Sequence, residues 1–280
     1  MSLRNNSERL GAHPSGESPA PSFSENQFSF VLPTMLVELP SKGRMYEENH
    51  PLHGQEHIEI RMMTAKDEDL LTNPDLIKKK VVLDRLIQSL LVDKRLRVDE
   101  LLVGDKNAIL FNARIAGYGP EYNVEISCPN CGTKQKKEYN IEEAMSIEYG
   151  EETEDAVWNE EEKVFECVLP LSKYPCSFRL MSGKEEKRIL KKFDANTKRK
   201  QNSTLTDQMK EIIVSVNGVR EKSQINMFVD YMPATDSRFL RKLYDTVAPD
   251  VQMKSEFECQ ECEHVEALEV PLTVDFFWPK

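Results

Sequence analysis

The sequence predicts an α+β fold: a helical body with short antiparallel strands, closed by a ribbon built from two distant cysteine turns. Three observations predict it. Leu76, Ile77, Leu83, Leu86, Ile87, Leu90 and Leu91 recur at the spacing of a core-facing helix stripe. His57-Ile-Glu-Ile-Arg-Met62 alternates with period two, as a half-buried strand does. Two Cys-x-x-Cys pairs, Cys128/Cys131 and Cys259/Cys262, each lie between strand-like stretches.

Along the chain, residues 1–27 are rich in Ser, Pro, Asn, Gly and Glu and lack apolar periodicity, which predicts a flexible N-terminal arm without the apolar stretch of a secretory signal. Residues 28–120 read as a mixed strand and helix region. Phe28–Pro33 and Met35–Pro40 are extended apolar segments, and Ser41-Lys-Gly43 is a turn. Thr64 with Asp67 approximates a capping box, and Asn73-Pro74 opens a second helix with Asn as cap and Pro at its first position. Asp105 is the expected cap of a further helix, with Gly117 closing it in the left-handed conformation.

Residues 121–140 and 251–280 are expected to be the two halves of the ribbon, with 141–250 an inserted α+β region. Val124–Ser127 and Gln135–Tyr139 flank the first pair as strands; Met253–Glu258 and Val265–Val270 flank the second. Inside the insertion, the Glu-crowded stretch 142–162 reads as a solvated loop. Val164–Leu169 and Cys176–Leu180 form a hairpin. Ser182-Gly-Lys-Glu185 is a capping box opening a helix to about Phe193. Thr204 or Thr206, Ser223 and Asp236 are expected to open three more helices, with Asn217-Gly218 a stop or tight turn and Pro249 ending the last helix.

The chain has 280 residues and a formal net charge of −11. No apolar run approaches the ~18 residues that would cross a bilayer, so no membrane association is expected. The basic runs Lys78–Lys80 and Lys198–Lys200 are short and lack interleaved aromatics, which argues against a specific nucleic-acid partner. Walker, dinucleotide, Gly-x-Ser-x-Gly and His-Glu-x-x-His signatures are absent from the sequence. The reading is therefore non-enzymatic, with no small-molecule substrate. His50, His53 and His57 cluster in sequence but lack an established ligand spacing and read as loop residues.

The chemistry-bearing motif is the cysteine pair, present twice. Ile126-Ser-Cys128-Pro-Asn-Cys131-Gly132 and Phe257-Glu-Cys259-Gln-Glu-Cys262-Glu263 each match a zinc knuckle: a strand, a tight turn that aims both sulfurs at one point, and a second strand. Two such turns make a tetrahedral sulfur cage suited to a structural Zn²⁺, held by Cys128, Cys131, Cys259 and Cys262. Four thiolates leave no position for a catalytic water. Cys167, Cys176 and His264 stand as possible additions to the set. Glu263 departs from the pattern, since a knuckle commonly has Gly there. At the end of the chain Phe276, Phe277 and Trp278 read as either an exposed anchor for a partner or aromatic packing on the core.

Several stretches resemble, in their order, a family of baseplate (hub) proteins of T-even-type contractile-tailed bacteriophages. They are Leu39-Pro-Ser-Lys-Gly43, Met63-Thr-Ala-Lys-Asp-Glu68, Leu71-Thr-Asn-Pro74, Val103-Gly-Asp-Lys-Asn-Ala-Ile109, Arg114-Ile-Ala-Gly-Tyr-Gly-Pro120, Cys128-Pro-Asn-Cys-Gly132, Ala234-Thr-Asp-Ser-Arg238 and Asp275-Phe-Phe-Trp-Pro279. The resemblance implies a subunit of the tail baseplate or its hub, contacting other baseplate or hub subunits. It places the protein in the host cytoplasm during assembly and then in the virion. Two other roles stand beside it: a transient assembly chaperone absent from the mature virion, and a cellular zinc-ribbon module that recruits partners.

Overall fold

The computed structural model describes residues 32–198, 204–269 and 274–277. The expected arm 1–27 and Trp278 lie outside them. The described part from Pro33 onward forms one compact unit of helices and antiparallel strands.

The first elements wrap a buried apolar stripe. β1 (Thr34–Glu38) pairs antiparallel with β2 (His57–Arg61), placing Val37 opposite Ile58 and Met35 opposite Ile60. Period-two alternation sends Ile58 and Ile60 inward, both buried. α1 (Ala65–Leu71), α2 (Pro74–Lys78) and α3 (Val82–Leu90) follow. Asn73 caps α2 as its sequence predicts, accepting from the backbone N–H groups of Asp75 and Leu76. At α1 the Asp67 carboxylate accepts from the Thr64 backbone N–H and hydroxyl, each at 2.8 Å. It also takes a two-point ion pair from Arg61, at 2.7 and 2.8 Å, and the Ser89 hydroxyl at 2.7 Å. One carboxylate thereby joins β2, α1 and α3.

α4 (Val103–Tyr118) is the central helix, with half of its 16 residues buried. It does not start at Asp105. The Val103 N–H already has a partner in the Met181 carbonyl, so the helix begins two residues earlier with Leu102 in the cap position. Asp105, fully buried, instead accepts from the Ser41 N–H and hydroxyl and from the Tyr46 hydroxyl, fixing the Leu39–Gly43 turn onto the helix. Gly104 lets α4 meet the chain ahead of β10, since a Cβ there would lie 2.0 Å from the Pro249 carbonyl oxygen. The helix runs one residue past Gly117 and stops at Gly119, whose φ of +82° ends the helical path.

β3 (Glu121–Ser127) and β4 (Lys134–Asn140) form the first cysteine hairpin. The acidic stretch is not a plain loop. It contains α5 (Ile141–Ala144), β5 (Met145–Glu148) and β6 (Val157–Asn159). Met145 and Ile147 alternate with outward Ser146 and Glu148, so Glu148 stays in water while the strand packs. β7 (Val164–Val168), β8 (Pro175–Phe178) and β9 (Ile213–Val216) join β6 in a four-stranded antiparallel sheet of order β6-β7-β8-β9. Its inner face carries Phe165, Phe178, Cys167 and Cys176, all buried. Asn217 and Gly218, both at positive φ, make the tight turn after β9.

α6 (Gly183–Lys198) opens on the expected box, the Glu185 carboxylate accepting from the Ser182 N–H and hydroxyl. α7 (Thr204–Ile212), α8 (Lys222–Tyr231) and α9 (Ala234–Val247) complete the helical body. α8 is capped by Glu221, which accepts from the Gln224 N–H, and not by Ser223. α9 begins two residues before Asp236; that buried carboxylate is drawn instead to the N–H groups of Leu171 and Ser172. β10 (Asp250–Glu258) pairs with β5 on one side and with β11 (Val265–Glu269) on the other.

The Asp67 junction has a pH signature. Burial pushes this carboxyl up, but hydrogen bonds from Arg61, Ser89 and Thr64 outweigh that and hold it well below the usual carboxylate range. A depressed folded-state pKa stabilises the fold above the unfolded value near 4, and that contribution is lost as pH falls toward the folded value. Asp67→Asn should cost about 3 kcal/mol at neutral pH. In urea unfolding, its gap to wild type should be widest near pH 6–7 and should narrow as pH drops below about 4.

Candidate metal centre

Each cysteine pair sits on the turn of a two-stranded hairpin, and the two turns have the same backbone wiring. In the first, the Cys128 N–H donates to the Thr133 carbonyl and the Gly132 N–H to the Cys128 carbonyl, each at 2.9 Å. In the second, the Cys259 N–H donates to the His264 carbonyl at 2.9 Å and the Glu263 N–H to the Cys259 carbonyl at 3.0 Å. Gly132 and Glu263 occupy equivalent positions and both are left-handed, with φ +75° and +54°. The departure at Glu263 has therefore not altered the turn. A non-glycine residue simply carries the steric cost of that conformation, roughly 1 kcal/mol.

The fold brings the turns together. All four sulfurs lie within 4.8 Å of one another. Cys128 Sγ is 3.7 Å from Cys262 Sγ, and Cys131 Sγ is 3.6 Å from Cys259 Sγ. A tetrahedral zinc site with bonds of about 2.3 Å has sulfur–sulfur edges of roughly 3.8 Å. These distances fit such a cage and are far too long for a disulfide, about 2.05 Å. Cys128 and Cys259 are buried, whereas Cys131 is exposed and Cys262 half-buried, so an ion has a route in from the surface.

Local donors shape the sulfurs' acidity. The Thr133 hydroxyl and N–H hold Cys131 down to about 6. Asn130, whose amide donates to the sulfur at 3.6 Å, and the His264 N–H favour the Cys262 thiolate, but neighbouring Cys131 and Cys259 push that thiol up to about 11. Four crowded sulfurs resist ionising together unless a cation shares them.

The other candidates lie elsewhere. Cys167 and Cys176 face each other across β7 and β8, on the inner face of the four-stranded sheet. The His264 ring turns toward Glu266, at 3.1 Å. His50 stacks on Tyr46 and takes the Leu52 N–H, and His53 bonds the Tyr46 carbonyl. Among the described residues, the cysteine quartet is the one cluster of His, Cys, Asp and Glu groups close enough to share an ion.

Two supporting residues carry no local sequence signal. Gln135, on β4, donates to the Glu258 carbonyl at 2.9 Å and accepts from the Gln260 N–H at 3.1 Å, clasping the second knuckle to the first. Arg114 is fully buried and donates to the carbonyls of Gly119, Glu121 and Phe276. It fastens the C-terminal segment to the end of α4. Phe276 and Phe277 are accordingly buried, with Phe276 edge-on to Phe111 and Tyr122 at 5.3 Å in each case. Within the chain these two rings pack against α4.

A family model described as T4 bacteriophage base plate protein matches residues 33–278. No curated protein and no solved structure matches the chain.

The paired left-handed positions give a direct test of the turns. A side chain at Gly132 would meet nothing within 4 Å, so Gly132→Ala isolates the backbone term. It should lower stability by about 1 kcal/mol, while Glu263→Gly should raise it by about 0.5–1 kcal/mol. Thermal unfolding checks both, and opposite shifts of a few degrees are the expected outcome.

Proposed function

We propose a function from one fixed premise: the chain belongs to the T4 bacteriophage base plate protein family. It is a non-enzymatic subunit of the tail base plate or its hub, braced internally by a structural zinc ion on Cys128, Cys131, Cys259 and Cys262. Membership implies contacts with other phage tail proteins and a place in the virion tail. The finer assignment rests on the sulfur quartet, a donor set with tetrahedral edges and no room for an activated water. Zinc would supply the fold, not a reaction: a cross-link between Cys131 and Cys259, 128 residues apart.

The same reading treats 1–27 as an arm and 141–250 as an insertion between the ribbon halves, assembled in the host cytoplasm before entering the particle. Retention in the mature virion is favoured over a transient chaperone role by the base plate family match.

Elemental analysis of purified protein should find one zinc per chain. Cys131→Ser and Cys262→Ser should each lose it, because each removes a ligand from the same cage. Chelation should lower the thermal midpoint of wild type by ~10 °C or more, since structural zinc sites contribute on the order of 10 kcal/mol. Loss of metal in one variant alone would break the shared-site reading. Mass spectrometry of purified particles and of base plate intermediates tests the location: the chain should appear in both.

A further inference from the structure

We infer that the outer face of the β6-β7-β8-β9 sheet is a docking surface for a basic, extended segment of a neighbouring protein. The inference deepens the subunit reading and rests on it. The inner face of this sheet is core. The outer face presents Val157, Glu166, Val168 and Pro175, all exposed, so no described element lies over it. Val157 and Val168 are 58% and 57% exposed and sit on adjacent paired strands. The face borders an open cleft of about 740 Å³, walled by loop residues that include Glu154, Asp155 and Arg220. On its floor Ser177 and Ser215 share a hydrogen bond of 2.7 Å, leaving few free polar groups between the apolar side chains.

The charge around the cleft selects the occupant. Glu154, Asp155, Glu162 and Glu166 line it, and among the described residues Arg220 is the one cation in its lining. Arg220 is held by Glu162 at 2.6 Å. Among the described lining residues the remaining carboxylates have no compensating cation, Glu166 taking a hydrogen bond from the Asn159 amide at 2.8 Å. Three exposed apolar side chains set among carboxylates fit a strand whose alternate residues are small and apolar, with Lys or Arg between them. The apolar set would meet Val157, Val168 and Pro175. The long cationic side chains would run up the walls to the carboxylates. An acidic or neutral segment would leave the rim unmatched.

The probe is a capped octapeptide of alternating Lys and Val, titrated into the full-length protein by calorimetry, with alternating Lys-Ser and Glu-Val peptides as comparisons. The Lys-Val peptide should bind saturably, at least tenfold tighter than either comparison. Its affinity should fall at least tenfold in Glu154→Lys/Asp155→Lys and in Val168→Asp. Carbodiimide cross-links should map to Glu154, Asp155 or Glu166. These positions are exposed, so circular dichroism and zinc content should match wild type. Equal binding by the Lys-Ser peptide, unchanged affinity in the variants, or cross-links elsewhere would overturn the inference. Particle assembly separates it from its premise. If wild type enters base plates and the charge-reversed variant enters equally well, the docking surface is wrong; if wild type itself is missing from them, the subunit reading is wrong.

Discussion

The fold depends on one junction: two hairpins, drawn from positions more than 120 residues apart, must meet at their turns. Closing a loop of that length costs about 5 kcal/mol of chain entropy. Protein contacts already guide the closure. β10 pairs with β5, Gly104 admits the backbone at Pro249, and Gln135 holds the second knuckle from the first. The sulfur cage lies at the far end of this seam. A metal there would lock a register that the strands set, so loss of the ion should loosen the two turns first.

Buried ions organise the rest, and each joins segments remote in sequence. Asp67 gathers β2, α1 and α3; Asp105 holds the Leu39–Gly43 turn; Asp236 holds the turn between β7 and β8. Lys106, nearly buried on α4, reaches Asp84 at 2.8 Å on α3 and Glu186 on α6. Arg114 donates to three carbonyls and lies over the Tyr118 and Phe276 rings, and burial pulls its pKa down from the ordinary guanidinium value. Desolvating such groups is costly, and removing one partner strands the other. They therefore specify which surfaces meet more than they add net stability. The short motifs that resemble the phage family contain Asp67, Asp105, Lys106, Arg114 and Asp236, which ties that resemblance to a mechanical role for those residues.

What the sequence made legible was local. The period-two strands, the caps at Thr64, Asn73 and Ser182, and the knuckle spacing all follow from neighbours a few residues away. The sulfur quartet was legible because the chemistry of four thiols demands a common point. Asp105 looked like a cap because its role lies 64 residues upstream, at Ser41. Gln135 reads as an ordinary strand residue, and nothing near it announces Glu258 or Gln260. β5 is hidden because the glutamates on either side of it outweigh its two apolar residues in composition, although alternation decides the structure. Long-range partners are set by the whole fold, and a single sequence records them only as isolated polar residues in apolar surroundings.

The division of labour inside the molecule bears on how it would bind. A surface ordered before it meets a partner loses less freedom on association, so more of the contact energy appears as affinity. The four-stranded sheet is ordered in this way. Phe165 and Phe178 stack beneath it at 5.6 Å, Trp158 packs on Phe165, and Asp236 anchors the β7–β8 turn. Its outer face inherits that rigidity without contributing to it, so residues there are free to serve recognition. Carboxylates at its rim would speed encounter with a cationic partner and reject an anionic one, while Val157 and Val168 would set the contact once water is expelled. The interior ions and sulfurs fix the shape, and the exposed side chains decide what the shape accepts.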